Sequence, residues 1–318
     1  MDSYPSVQHC GRRAGRTVFS TWLATLFLLM PLCALAASGN PPGASAPAAV
    51  QTGQAVPQAV PAQSAPQAAP AQGAPQRVQP EMAFALVAAE AEKGNAEAML
   101  TLGRFYEQGV GIARNYTKAL EWYEKAAKAG LPAGYYNAGV CCEIGMGVAA
   151  DAANALQNYQ KAADLGMALA MYKLSSIFIS GTGAAKDAAK GIVWLEKAAD
   201  AGVAAAANDL GAIYLAGLLG QKKDEKKALS FFLKAAEFGN LDAIRNIAGL
   251  HKDGIGTKAD PATAYTWYAI ARRGGYAGED VVRLLGLLEG SLSAAQVQQA
   301  QKDADAWLDN YAKRQTGK

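Results

Sequence analysis

Few residues in this chain have the types and spacing for chemistry. One histidine, His251, lies beyond His9, and of the four cysteines only the adjacent pair Cys141-Cys142 lies beyond residue 33. A Ser-His-Asp arrangement would have to use His251, and a zinc site would want more nitrogen or sulfur ligands than the chain holds. No Ser-x-x-Lys occurs, which removes one serine acyl-enzyme pattern. Adjacent cysteines in a helix are poorly placed to bridge each other. Both stand at interior positions of the pattern described below, so they read as structural thiols. Gly-x-Gly turns resemble phosphate loops, but they recur along the chain and fit a helix-breaking role. The expectation is no catalytic residue, no metal and no cofactor, with His251 packing in a core.

The elements that would position these residues repeat. Asn115 to Gly130 (NYTKALEWYEKAAKAG) returns at Asp151, Asp187, Asp224 and Asp260, with closing glycines spaced 36, 36, 37 and 36 apart. Asp or Asn stands where its oxygen can accept an orphan amide at a helix start, and Pro261 takes a first helical position. An aromatic or apolar pair follows: Trp122-Tyr123, Trp194-Leu195, Phe231-Phe232, Trp267-Tyr268. In the second copy the pair is Asn158-Tyr159, which predicts a thinner contact there. Alanines then admit a close helix neighbour, and a glycine suits the C-terminal turn.

Another helix precedes each of these. Ala98, Leu102-Gly103 and Tyr106 end in Gly109-Val-Gly111, and the set recurs as Gly134, Ala138-Gly139, Cys142 with Gly145-Met-Gly147. Later copies center on Leu174-Ser175, Leu210-Gly211 and Ile247-Ala248; an inserted residue within LLGQ accounts for the single spacing of 37. Spacings of three and four put these residues on one face. Units of this size cannot bury their apolar faces without neighbors, which predicts a solenoid of helix pairs.

The pattern A-x-x-x-L-G-x-x-Y-x-x-G-x-G-V followed by D-x-x-K-A-x-x-W-Y-x-K-A-A-x-x-G resembles the Sel-1-like repeat family, relatives of the tetratricopeptide repeat. The resemblance implies an all-α, right-handed alpha/alpha solenoid of about five helix pairs with helical caps at both ends. It also implies an adaptor or scaffold, as in many exported bacterial members. A cysteine-rich secreted branch described as handling β-lactams carries regularly spaced disulfide cysteines, which this chain lacks.

Along the chain, Arg12, Arg13 and Arg16 precede an apolar run from Val18 to Ala36, so residues 1–36 read as a signal peptide cleaved after Ala36. A retained membrane anchor is the rival reading. Residues 37–80, rich in Pro, Ala and Gln, read as a disordered linker; held extended at ~3.1 Å per residue it would reach on the order of 120 Å. Ser45 and Ser64 within it resemble O-glycosylation contexts. Residues 81–94 read as an N-terminal capping helix, 95–275 as five repeats, and 276–318 as C-terminal capping helices, the last opened by the capping box Ser293 to Gln296. The whole amounts to about thirteen helices and no strand. The chain has 30 basic and 27 acidic residues; without residues 1–36 the balance is nearly even, which argues against a nucleic-acid partner.

What remains is surface. In tetratricopeptide-like pairs the first helix lines the concave side. Counting two before, two after and five after the central Leu predicts groove positions Leu100, Arg104 and Glu107 in the first repeat and Tyr136, Val140 and Glu143 in the second. The third contributes Tyr172, Ser176 and Ile179, the fourth Asn208, Ala212 and Leu215, and the fifth Arg245. Tyr136 and Tyr172 are the expected anchors for a protein or peptide partner. The expected function is an exported, monomeric binding scaffold, periplasmic or secreted, touching membrane only if the N-terminal segment is kept. An envelope hydrolase acting on cell-wall or β-lactam substrates, or a membrane-anchored signaling adaptor, are the alternatives.

Overall fold

The computed structural model describes residues 79–317, which form thirteen α-helices and no strand. Helix α1 (Pro80–Glu92) precedes five pairs: α2 (Ala96–Gln108) with α3 (Tyr116–Lys128), α4 (Pro132–Ile144) with α5 (Ala152–Asp164), and α6 (Ala168–Ser180) with α7 (Ala188–Asp200). The fourth and fifth are α8 (Ala204–Ala216) with α9 (Glu225–Glu237) and α10 (Leu241–Asp253) with α11 (Pro261–Arg273); α12 (Glu279–Glu289) and α13 (Ala294–Thr316) follow. The export segment with its cleavage after Ala36, the linker up to residue 78 and Ser45 and Ser64 lie outside the described residues. No helix among the described residues is long and apolar enough to cross a membrane.

Helix starts follow the chemistry read from sequence. The side chains of Asn115, Asp151, Asp187, Asp224 and Asp260 each accept from an amide in the first turn of the second helix of their repeat, satisfying donors the helix itself leaves orphaned. Ser293 and Gln296 form the reciprocal capping box that opens α13. First helices end in a left-handed glycine, as at Gly109 and Gly145, whose amides return to the carbonyls of Phe105 and Cys141.

Size complementarity sets how closely the two helices of a repeat approach. A Cβ on Gly103 would come 2.5 Å from the Tyr123 ring, one on Gly139 2.9 Å from Tyr159, and one on Gly211 2.6 Å from Phe232. In the third repeat the ring shrinks to Leu195, the small residue grows to the buried Ser175, and Gly191 makes room for Ile179. Volume is exchanged rather than lost, which close packing requires. At Asn158 the half-buried side chain turns to its own helix, donating to Asn154 at 3.1 Å, where its first-repeat counterpart Trp122 is buried against α1 and α2 residues.

At the C-terminal end α13 lies over the fifth repeat. Arg273 pairs with Asp305, and the Trp307 ring sits 5.8 Å from Trp267 and 5.5 Å from Tyr311. Trp307 and Tyr311, with Leu241, Ile244, Ile270 and Leu308, line an apolar hollow of about 190 Å³.

Candidate partner-binding face

The first helices bury one side against the second helices and keep the other toward solvent, so the face is built by whichever registers the packing leaves open. One expected register remains there: Arg104, Val140 and Ala212 are half-buried and Ser176 is exposed. It is extended by Asn137, Lys173, Asp209 and Asn246 a turn before it, by Leu169, 46% exposed, two turns before it, and by Ile144, 60% exposed, a turn after it. Sequence reasoning missed these neighbors. Counting in steps of three and four from Arg104 would have reached Thr101 and Gln108, and their counterparts in every repeat.

The other two expected registers are drawn into the solenoid. Leu100 is a correction: at 2% exposure it packs with Ala119, Leu120 and Tyr123 and presents nothing to a groove. Its counterparts are half-buried: Tyr136 packs within its own repeat, and the others reach the next repeat or the C-terminal cap. The Tyr136 ring lies 5.5 Å from the Tyr159 ring, and the Tyr172 hydroxyl donates to Asp209 Oδ2 at 2.7 Å. Asn246 donates to Asn208 at 3.3 Å, and Arg245 Nε donates to Asp280 at 2.8 Å. The third register turns inward within its own repeat. Glu107 accepts from the Tyr123 hydroxyl; Glu143 accepts from Tyr159 at 2.5 Å and from Lys173 Nζ at 3.0 Å. Ile179 abuts Gly191, and Leu215 packs against the core.

In the first four repeats the pairing is systematic, whereas in the fifth Lys252 stands opposite the buried Tyr268. Where the second helix offers a buried tyrosine hydroxyl, the facing residue is Glu107 or Glu143; where it offers Leu195 or Phe232, the facing residue is Ile179 or Leu215. A buried hydroxyl needs an acceptor and an apolar ring does not. Burial and the neighboring carboxylates raise the Tyr123 and Tyr159 hydroxyls above their ordinary range, so they remain donors.

Electrostatics mark one group on the face. Burial pushes the Asp209 carboxyl up to about 6, against the pull of hydrogen bonds from Tyr172 and Asn208. The residues considered for chemistry behave otherwise. Cys141 and Cys142 are buried free thiols. Burial, reinforced by Glu107, pushes Cys141 up to about 12 and raises Cys142 as well, away from the nucleophilic thiolate. His251 is half-buried at the end of α10, its imidazole lowered by burial and partly restored by Asp260. Among the described residues no cluster of His, Cys, Asp and Glu has the make-up to hold a metal.

The second helices present a different surface. Lys125 Nζ lies 3.6 Å from the center of the Trp122 ring and Lys197 Nζ 4.0 Å from that of Trp194, cation–π contacts that cap the aromatic positions of the repeat.

Comparison with known proteins agrees with this geometry. The Sel1 repeat family matches residues 96–131, 132–167, 168–203, 204–240 and 241–276. A protective antigen present in uropathogenic Escherichia coli strains, displaying an SLR fold, is 32% identical with a TM-score of 0.61 over 74% of this chain and 50% of its own. A Sel1 repeat protein from Oxalobacter formigenes is 28% identical with a TM-score of 0.59, covering 74% of this chain and 95% of its own. The Arabidopsis thaliana ERAD-associated E3 ubiquitin-protein ligase component HRD3A is 42% identical over 57 residues, which are 18% of this chain and 8% of that protein. The chain thus spans half of the E. coli antigen and a small part of the plant protein.

Proposed function

The chain belongs to the Sel1 repeat family, and on that premise we propose that it is a binding scaffold whose first-helix face takes up a segment of a protein partner. The observation that carries this reading is the open stripe through Val140, Ser176 and Ala212. It runs from repeat to repeat between two registers locked by internal contacts, and Ile144 and Leu169 add exposed apolar area on its two sides. A rigid, partly apolar strip with polar edges suits a peptide or helix laid along it. We further propose that the chain is exported and works in the bacterial envelope or outside the cell. Arg12, Arg13 and Arg16 before the apolar run support this, and exposure outside the cell is in keeping with a structurally similar chain being a protective antigen.

Two expected results follow. A photo-crosslinking residue at Ser176 should capture a partner from envelope extract, whereas one at Val193, exposed on a second helix, should not. Capture at Val193 alone would move the binding surface to the other side of the solenoid. N-terminal sequencing of the mature protein should begin at Ala37; a chain still carrying its first apolar run would support the anchored reading instead.

A further inference from the structure

The first-helix face does not carry its charges evenly. Lys173 is engaged by Glu143 at 3.0 Å and Arg245 by Asp280 at 2.8 Å. Asp209, which lies in the face between these two cations, makes no ion pair among the described residues. Its carboxylate accepts from the Tyr172 hydroxyl at 2.7 Å and is supported by the side chain of Asn208, itself held by Asn246 at 3.3 Å. The group is therefore oriented by neutral donors from two successive repeats, without a charge to balance it.

Small residues flank it. Along α8 the residues one turn before and after Asp209 are Ala205 and Ala212; on the flanking helices the equivalents of Ala212 are Ser176 and Gly249. No side chain longer than serine occupies these four positions. Asp242, exposed one turn before Asn246, adds a second carboxylate that makes no ion pair among the described residues. At the opposite end of the stripe Arg104 supplies a cation, and Thr101 and the exposed Glu97 stand at the positions of Asp209 and Asp242.

We propose that Asp209, with Tyr172 and Asn208 holding it in place, is a subsite for a lysine or arginine side chain of the partner segment. The assignment rests on the first-helix face being the binding surface. A partly desolvated carboxylate held by neutral donors gains a charge-assisted hydrogen bond when a cation arrives. Charge complementarity of this kind fixes register and excludes wrong partners. An arginine reaching between small residues would make two bonds to the carboxylate, and a lysine one.

The test is a positional-scanning peptide library screened against the full-length protein, Asp209→Asn and Ser176→Arg. The wild type should select lysine or arginine at one peptide position. Asp209→Asn keeps the shape and can still accept from Tyr172, so it should fold unchanged, bind the selected peptides about tenfold more weakly or worse, and lose the basic preference. Equal binding of the same basic peptides by Asp209→Asn overturns the subsite. So does a wild-type selection with no basic position, provided that binding is blocked by Ser176→Arg, in which case the face stands and only the subsite falls. Peptides indifferent to Ser176→Arg, or no peptide bound at all, sink the reading of the face and the subsite with it.

Discussion

Gly147→Ala is expected to destabilize the second repeat by about 3 kcal/mol, against about 1 kcal/mol for Gly166→Ala, although both glycines have left-handed backbone. Their φ angles are +74° and +88°, so the conformational penalty of a Cβ is comparable at the two sites. Surroundings separate them. A Cβ on Gly147 would stand 2.4 Å from the carbonyl carbon and oxygen of Tyr116 and 2.6 Å from the amide of Thr117, whereas nothing lies within 4 Å at Gly166. The obstruction at Gly147 is the backbone at the start of α3 in the previous repeat. It cannot swing aside as a side chain would, and Thr117 Oγ1 also donates to the Gly147 carbonyl there at 3.3 Å. The second glycine of the Gly-x-Gly turn therefore sets how closely one repeat approaches the next, in addition to ending a helix. Urea unfolding of the two variants measures the difference, with the solenoid treated as coupled repeats rather than as one all-or-none unit. Equal losses at the two positions would show that the seam between repeats yields, and this account of the turn would fail.

A loss of about 3 to 5 kcal/mol is expected for Tyr159→Ala. This side chain is fully enclosed at 0% exposure, its ring packs on Gly139 and lies 5.5 Å from Tyr136, and its hydroxyl meets Glu143. Truncation opens a cavity between α4, α5 and α6 and leaves Glu143 with Lys173 alone. Tyr159→Phe isolates the hydroxyl and should cost about 1 to 2 kcal/mol, because a half-buried carboxylate loses its donor. The third and fourth repeats suggest a control, since they use the apolar pairs Ile179 with Leu195 and Leu215 with Phe232. Combining Tyr159→Phe with Glu143→Leu should therefore recover most of the loss of the single variant, as removing both polar partners together is close to neutral. Thermal melts of the three variants decide the point; a double variant less stable than Tyr159→Phe would mean that Glu143 matters mainly through Lys173.

The repeat period, the helix starts and stops and the fold were legible in the residues because each rests on local physics. Asp151 or Asp224 caps a helix through an amide two or three residues away, Gly109 closes one through a carbonyl four residues back, and the alternation of small and large residues repeats inside every unit. The open face was legible only in part. Leu100, Arg104 and Glu107 are three and four apart on one helix, and nothing in their spacing tells which of them the packing will cover. That choice follows from how far each repeat turns relative to the next, a sum of contacts between residues some 36 positions apart such as Tyr172 with Asp209 and Arg245 with Asp280. Glu107 and Glu143 show the same limit, since a carboxylate near a helix end reads as a solvated rim charge until the tyrosine 16 residues further on is seen to put its hydroxyl against it. Taken alone, the sequence determined that this chain is a solenoid of Sel1 repeats, because capping, helical period and small-to-large pairing are satisfied within one repeat length. Tertiary structure alone decided which side chains hold the repeats together and which are left facing solvent, because the same residue types serve both purposes and only the neighboring repeat selects between them.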